Sequence, residues 1–276
     1  MSPWDDTTPD VRRLLRQRAD VLAALIDAAR DKADLTAELD VSRSTVDRTV
    51  RRLALHGLVL RTDAGLEATR AGRLAYDSYR RFREETADVE RVADLLDELS
   101  PSADVSHDLL AGATVCRSEP PATGRPANEV TALLGEAIEL WACASSIADS
   151  AASERLYRMV TERDGRATVV YTSPLADHLR KQYSEKRREM VETGRYRAYE
   201  IDDLSYDLFV VESAEGTQVA VVVYDEGGSI AGTIHNDRDA AVEWGRAVFE
   251  RRRVEATEFS DDFRDDSEDG PTSTGA

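Results

Sequence analysis

The sequence predicts a mixed protein, α+β at its start and α/β after it. A small helical domain closed by a short β-hairpin leads through a long linker helix to a larger α/β domain with a mixed sheet. Three observations predict this. Apolar residues recur three or four apart over residues 10–60, the helical period. Beyond residue 105, short β-branched runs alternate with amphipathic stretches, as in layered α/β folds. Charge divides the same way: residues 10–82 hold 15 basic and 11 acidic residues, net +4, and residues 83–276 hold 21 and 41, net −20.

Val11, Leu14, Leu15, Val21, Leu22, Leu25 and Ile26 predict a first helix over residues 10–30. A short second helix is expected over Asp34–Leu39, with the turn at Asp40 and Val41. Ser42 is placed to cap a third helix, which Gly57 ends because glycine adopts the left-handed backbone without steric cost. On that third helix Val46, Val50 and Leu53 share the core face. At about 100° per residue, Ser44, Asp47, Arg48 and Arg51 fall opposite, with Arg52 on the flank.

Such a face suits double-stranded DNA. Arginine holds guanine by two parallel hydrogen bonds, and hydroxyls bond bases or phosphates. Ser42, Arg43, Ser44 and Thr45 stand at a helix N-terminus, where free N–H groups and the dipole favour phosphate. Ser44, Asp47, Arg48 and Arg51 are the expected base readers. Two short strands, Leu58–Thr62 and Gly65–Glu67, make a hairpin around Asp63 and Ala64, with Arg61 and Arg70 placed for phosphate. Residues 18–75 resemble the winged helix-turn-helix domains of MarR-like and related archaeal regulators, on SRSTVDRTVRRL followed by HGLV. That resemblance implies a recognition helix in the major groove.

A long helix is expected from Thr69 to about Leu99, where Val89, Val92, Leu96 and Leu99 form a coiled-coil-like seam. The seam either packs on its own domain or pairs two chains, and a palindromic operator favours a homodimer. The domain boundaries follow: 10–75 for DNA binding, 76–104 for linker helix and hinge, 105–259 for the α/β domain, and 260–276 for an acidic disordered tail. Within the third segment the reading is as follows. A first strand falls in residues 109–117, a flexible piece spans 118–129, and a helix spans Glu129–Glu139. A strand at Leu140–Ile147, a helix at Ser153–Glu162, a strand at Ala167–Thr172 and a helix from Pro174 to Thr193 come next. Strands at Tyr196–Ile201, Asp207–Glu212, Val219–Tyr224 and Ser229–Ile234, with a turn at Gly227 and Gly228, precede a last helix from Asp237 or Asp239.

YDLFVVES, GTQVAVVVYDEGGSIAGTIHND and AAVEWGRAVFERRRVEA carry a second resemblance, spanning residues 105–259. It is to a sensor domain named after the middle domain of a methanogenesis regulatory protein. Its fold is related to the phospholipase-D-like domain of TrmB-type sugar-responsive regulators. The resemblance implies a transcriptional regulator whose second domain senses a small-molecule effector. Phospholipase-D chemistry needs H-x-K-x4-D, and neither His178 nor His235 begins that pattern, so no catalytic residue is expected. Two alternatives stand beside it: an enzyme of that fold tethered to DNA, and a ligand-free binding or interaction module. Tyr206, Asp207, His235, Asn236 and Asp237 fall at predicted strand ends, where α/β sheets bind ligands, and are the candidate effector residues. Turn capping is the competing role for each.

Composition sets the remaining bounds. Cys116 and Cys143 are too few for a four-ligand zinc site and read as buried thiols; no metal or cofactor is expected. Apolar runs stay well short of the roughly 20 residues that cross a bilayer, and the first ten residues lack a secretory pattern, so a cytoplasmic protein is expected. Lysine occurs only at 32, 181 and 186, while Asp and Glu total 54. Abundant carboxylate with scarce lysine predicts a halophilic protein, because dense acid preserves solubility in strong salt.

Overall fold

The computed structural model describes residues 11–146 and 150–263, which divide into two compact units between Ala87 and Asp88. In the first unit α1 (Val11–Asp27) buries Leu14, Leu15, Val21, Leu22 and Leu25, and kinks at Arg18, where φ is −149° and ψ 32°. The next helix, α2 (Lys32–Leu39), starts two residues before the expected position. Asp31 caps it, accepting from Ala33 and Asp34 N–H while the Asp34 carboxylate accepts from Asp31 N–H. That reciprocal box satisfies N–H groups no helical carbonyl reaches, so nucleation falls at Asp31. Asp40 then turns the chain in the left-handed conformation (φ 49°, ψ 45°).

Helix α3 (Arg43–Leu55) lays Val46, Thr49, Val50 and Leu53 on the core shared with α1. Strands β1 (Val59–Thr62) and β2 (Gly65–Ala68) pair antiparallel around Asp63 and Ala64. Arg30 adds a bridge on the outer side of β2, exchanging both backbone hydrogen bonds with Leu66 at 3.0 and 2.8 Å. Gly65 is required there: its φ is +134°, and a Cβ would stand 2.8 Å from the Arg30 carbonyl oxygen.

Helix α4 (Arg70–Asp97) realises the expected long helix. Its expected seam is largely occupied by its own domain. Val92 and Leu95 are buried in the core of the second unit, and Leu96 and Leu99 pack against it, leaving Val89 exposed. Burial against neighbouring apolar side chains therefore accounts for most of that pattern.

The second unit carries an eight-stranded sheet, and its elements in order are α5 (His107–Leu110), β3 (Thr114–Arg117), α6 (Arg125–Gly135), β4 (Glu139–Ala144), α7 (Ser150–Glu162), β5 (Arg166–Thr172), α8 (Ser173–Gln182), α9 (Ser184–Glu192), β6 (Tyr196–Ile201), β7 (Asp207–Ser213), β8 (Gly216–Tyr224), β9 (Ile230–Asn236), α10 (Asp239–Glu255) and β10 (Thr257–Glu258). Strand order is β10-β6-β5-β4-β7-β8-β9-β3. The β4-β5-β6 part is parallel, joined by helical crossovers, and β7-β8-β9-β3 is antiparallel. The sheet is mixed, as expected. One face is covered by α6, α7, α8 and α9, the other by α5, α10 and the last turns of α4, so both faces are apolar.

Four expectations are corrected. Helix α6 begins at Arg125, inside the piece read as flexible, because Pro126 fits a first helical turn; Glu139 opens a strand instead of closing that helix. Leu109 and Leu110 are the end of a helical turn, not part of the first strand. The helix expected from Pro174 to Thr193 is two helices, since the backbone leaves helical values at Tyr183 (φ −131°, ψ 17°), whose ring packs near His178. Residues 260–263 form a 3₁₀ turn, not a disordered start of the tail. There Phe259 and Phe263 are buried against the sheet, and Ser260 Oγ accepts from Ala198 N–H at 2.9 Å. Two phenylalanines among acidic residues supply enough apolar area to order the turn. The rest of the expected tail, residues 264–276, and the strand end at Ile147 lie outside the described residues.

Candidate nucleic-acid interface

Local chemistry presents α3. Ser42 Oγ accepts from Thr45 N–H at 3.3 Å and lies 3.0 and 2.9 Å from the Ser44 and Thr45 hydroxyls. The cap occupies one N–H of the first turn and leaves those of Arg43 and Ser44 for an anion, since an α-helix has no internal acceptor for them. Gly57, with φ +68°, turns the chain off the helix into β1. Thr69 Oγ1 donates to Gly57 O at 2.7 Å and accepts from Gly72 N–H at 3.0 Å. This bond ties the start of α4, and so Arg70, to the end of the third helix.

Burying Val46, Thr49, Val50 and Leu53 turns the opposite face outward. Arg43, Ser44, Arg48 and Arg51 are exposed there, Thr45 and Arg52 are half-buried, and Arg61 and Arg70 are exposed on the hairpin and at the start of α4. Arg43, Arg48, Arg51, Arg61 and Arg70 form no ion pair among the described residues. Asp47 differs from its expected companions. Its carboxylate meets Lys32 Nζ of α2 at 2.5 Å, which holds its pKa below the ordinary range, with Arg43 and Arg51 adding to the effect. Lys32 escaped the sequence reading, because a pairing between two helices has no local signature. Thr49 escaped it too: a hydroxyl residue between arginines looks exposed, yet it lies on the core side of the helix.

The five candidate effector residues fall in two places. Asp207 pairs with Val222 and Asn236 with Val219, so the two lie at different heights on strands separated by β8. Tyr206 is buried and its hydroxyl donates to Asp104 O at 2.5 Å. Asp207 is buried and accepts from Ser145 N–H (2.7 Å), Ser145 Oγ (2.6 Å) and Tyr224 Oη (2.7 Å). Burial pushes its pKa up to about 6, against the opposing pull of those donors. Asn236 donates to Leu109 O (2.8 Å) and Ala111 O (3.1 Å), and its side-chain oxygen accepts from Arg238 N–H at 3.0 Å. His235 Nε2 lies 2.8 Å from Thr233 Oγ1 and 3.4 Å from Glu129 Oε2, and burial lowers its pKa. Asp237 is exposed. Cys116 and Cys143 are buried free thiols, as expected, and burial pushes Cys143 up to about 12. Among the described residues no helix is long and apolar enough to cross a membrane.

Residues 123–255 match the family described as methanogenesis regulatory protein FilR1, middle domain, and residues 10–92 match the HVO_A0261 N-terminal domain. The expected resemblance to a methanogenesis-regulatory middle domain thus holds over that span. No curated protein matches the chain. Among solved structures, TrmBL2, an archaeal chromatin protein whose structure is described as showing a novel mode of DNA binding, is 14% identical over 90% of this chain and 98% of its own, with a TM-score of 0.43. Nuc from Salmonella typhimurium, a phospholipase D family member, is 9% identical over 53% of this chain and 97% of its own, with a TM-score of 0.40.

Proposed function

We propose that this chain is a DNA-binding transcriptional regulator that acts as a homodimer in the cytoplasm and answers to a small-molecule effector bound by its second unit. The observation that carries the reading is the set of exposed arginines at positions 43, 48, 51, 61 and 70, none in an ion pair among the described residues, in a chain of net charge −18. In so acidic a protein a merely solvated helix face would attract acid. A run of exposed arginines outside ion pairs is what a phosphate backbone requires. The two family matches, one at each end of the chain, support a regulator.

In this reading α3 enters the major groove, with Ser44, Arg48 and Arg51 toward base edges. Ser42, Arg43, Thr45 and Arg52 meet the backbone, and Arg61 and Arg70 grip flanking phosphates. Asp47 acts through Lys32, holding α2 against α3, more than through a base. The homodimer rests on palindrome logic and on the exposed side chains of Leu74 and Phe82, eight residues apart on α4, which a second copy would cover. Selection of bound sequences from a random duplex pool with the full chain tests the reading. A two-fold symmetric consensus supports it, and enrichment of no sequence sinks specific recognition.

A further inference from the structure

Under the sheet face covered by α6, α7 and α9 lies a cavity of about 60 Å³ whose walls are mostly aliphatic. Its exceptions are Arg187 and Asp207, the Tyr171, Phe209 and Tyr224 rings, and Ser146 and Ser153. Arg187 is only 3% exposed, so a full positive charge sits inside an apolar core. Such a charge normally brings a carboxylate with it. Here none of the described residues forms an ion pair with it. Nη1 donates to Tyr196 Oη at 3.2 Å and approaches Met190 Sδ at 3.7 Å, while the Tyr171 and Tyr196 rings face the guanidinium at 5.6 and 5.5 Å. A guanidinium has five N–H donors in a planar fork, and only Nη1 finds an acceptor among the described residues. The carboxylate that shares the cavity, Asp207, accepts from Ser145 and Tyr224 and forms no ion pair with it.

Resting on the reading that the second unit answers to an effector, we propose that this cavity binds a small carboxylate, its two oxygens on the Arg187 fork and its short carbon chain among the aliphatic walls. Three features select that class. The free edge of a guanidinium matches a carboxylate with two parallel hydrogen bonds, a geometry that a spherical anion cannot use. Apolar walls favour carbon over many further polar groups, which argues against phosphate esters and sugars. The volume, at about 10–15 Å³ of such space per water-sized group, admits about four to six non-hydrogen atoms, the size of acetate, propionate, butyrate, glycine or alanine. In the last two the ammonium would lie beside the Asp207 carboxylate, the negative group of the same cavity.

Isothermal titration of the full chain, without DNA and in the potassium chloride that keeps it folded, tests the site with those five compounds, and with sulfate as the control. Saturable one-site binding of at least one carboxylate is expected. Tighter binding of glycine or alanine would add Asp207 as the second anchor, and tighter binding of the fatty acids would leave Arg187 as the sole one. Arg187→Lys, which keeps the charge and loses the fork, should weaken binding at least about tenfold. Ala152→Leu, which fills the cavity from α7 with no change of charge, should abolish it and covers the case in which the arginine variant fails to fold. Sulfate binding as tightly, or no carboxylate binding at all, would overturn the carboxylate site while leaving DNA recognition untouched. Carboxylate binding that leaves affinity for the selected duplex unchanged would uphold the site and overturn the effector role.

Discussion

Lys32 Nζ stands 2.5 Å from Asp47 Oδ1, joining the first residue of α2 to the exposed side of the recognition helix. One of only three lysines in the chain is thus used to hold the two helices of the helix-turn-helix together. Both side chains are about two-fifths exposed, so solvent screens the pair and it adds little to stability. Its larger effect is on charge at the exposed face of α3 that is proposed to meet DNA. We predict that Asp47→Asn leaves thermal stability nearly unchanged and raises affinity for random duplex roughly fivefold, the effect of one charge near a protein surface. Band-shift titration reads this. A loss of affinity confined to the selected sequence would make Asp47 a base reader.

Arg48 and Arg51 should behave differently from Arg61 and Arg70. Replacing either of the first two by alanine is expected to cost about 1–3 kcal/mol on the selected site and to relax preference at one position. Alanine at Arg61 or Arg70 should weaken every duplex alike and reduce the slope of log affinity against log salt by about 0.9. Footprinting across a salt series separates the two. Equal behaviour of all four variants would dissolve the division between readers and phosphate contacts.

Asp207 makes stability depend on pH in a direction opposite to that of most carboxylates. Its folded pKa of about 6 lies above the ordinary 3.8, so between these values the unfolded chain has ionised while the native chain holds the proton. Unfolded molecules then bind fewer protons, and stability falls as pH rises through that window, by about 3 kcal/mol in all above it. Asp207→Asn removes the titration. The difference in unfolding free energy between wild type and variant should therefore shift against the wild type from pH 4 to 6 and then level. A flat difference would show an unperturbed Asp207.

The turn after the last strand should act as a clamp on the sheet. Phe259 touches Tyr171 and Phe263, with the Arg180 guanidinium 4.4 Å from its ring, while Arg180 also pairs with Glu200 and Asp262. Phe259→Ala is expected to cost about 3–5 kcal/mol in denaturant unfolding, as a buried aromatic does. A cost under about 1 kcal/mol would mean that the turn adds little.

Salt should sharpen these measurements. With 54 acidic residues against 36 basic ones, we predict that the chain unfolds in dilute buffer as carboxylates repel, and folds cooperatively when molar salt shortens the Debye length to about 3 Å. Circular dichroism over a potassium chloride series checks it. A full, stable spectrum at low salt would rule out a halophilic design.

The helix-turn-helix was legible because its signals are local. Ser42 and Gly57 mark the ends of α3, and the spacing of Val46, Val50 and Leu53 orients it, all within 16 residues. The parallel and antiparallel strands could be read from β-branched runs, since a sheet covered on both faces demands them. Order among the strands could not, because pairings such as β3 with β9 join residues more than a hundred positions apart. Leu96 and Leu99 show a further limit. Their spacing is the same whether they meet another chain or their own sheet, so periodicity cannot name the partner.

By itself, then, the amino-acid order determined the two-part architecture, the helix that faces outward with arginines, and the charge contrast between the parts. These follow from period, capping and composition, which need no knowledge of distant residues. Tertiary structure alone decided that Asp47 meets Lys32, that Tyr206 and Asn236 are tied into the backbone, and that Arg187 lies in a cavity with Asp207. An arginine in a helix as densely charged as Ser184–Glu192 reads as solvated. It becomes a buried, unpaired charge only when β5, β6 and their covering helices close around it.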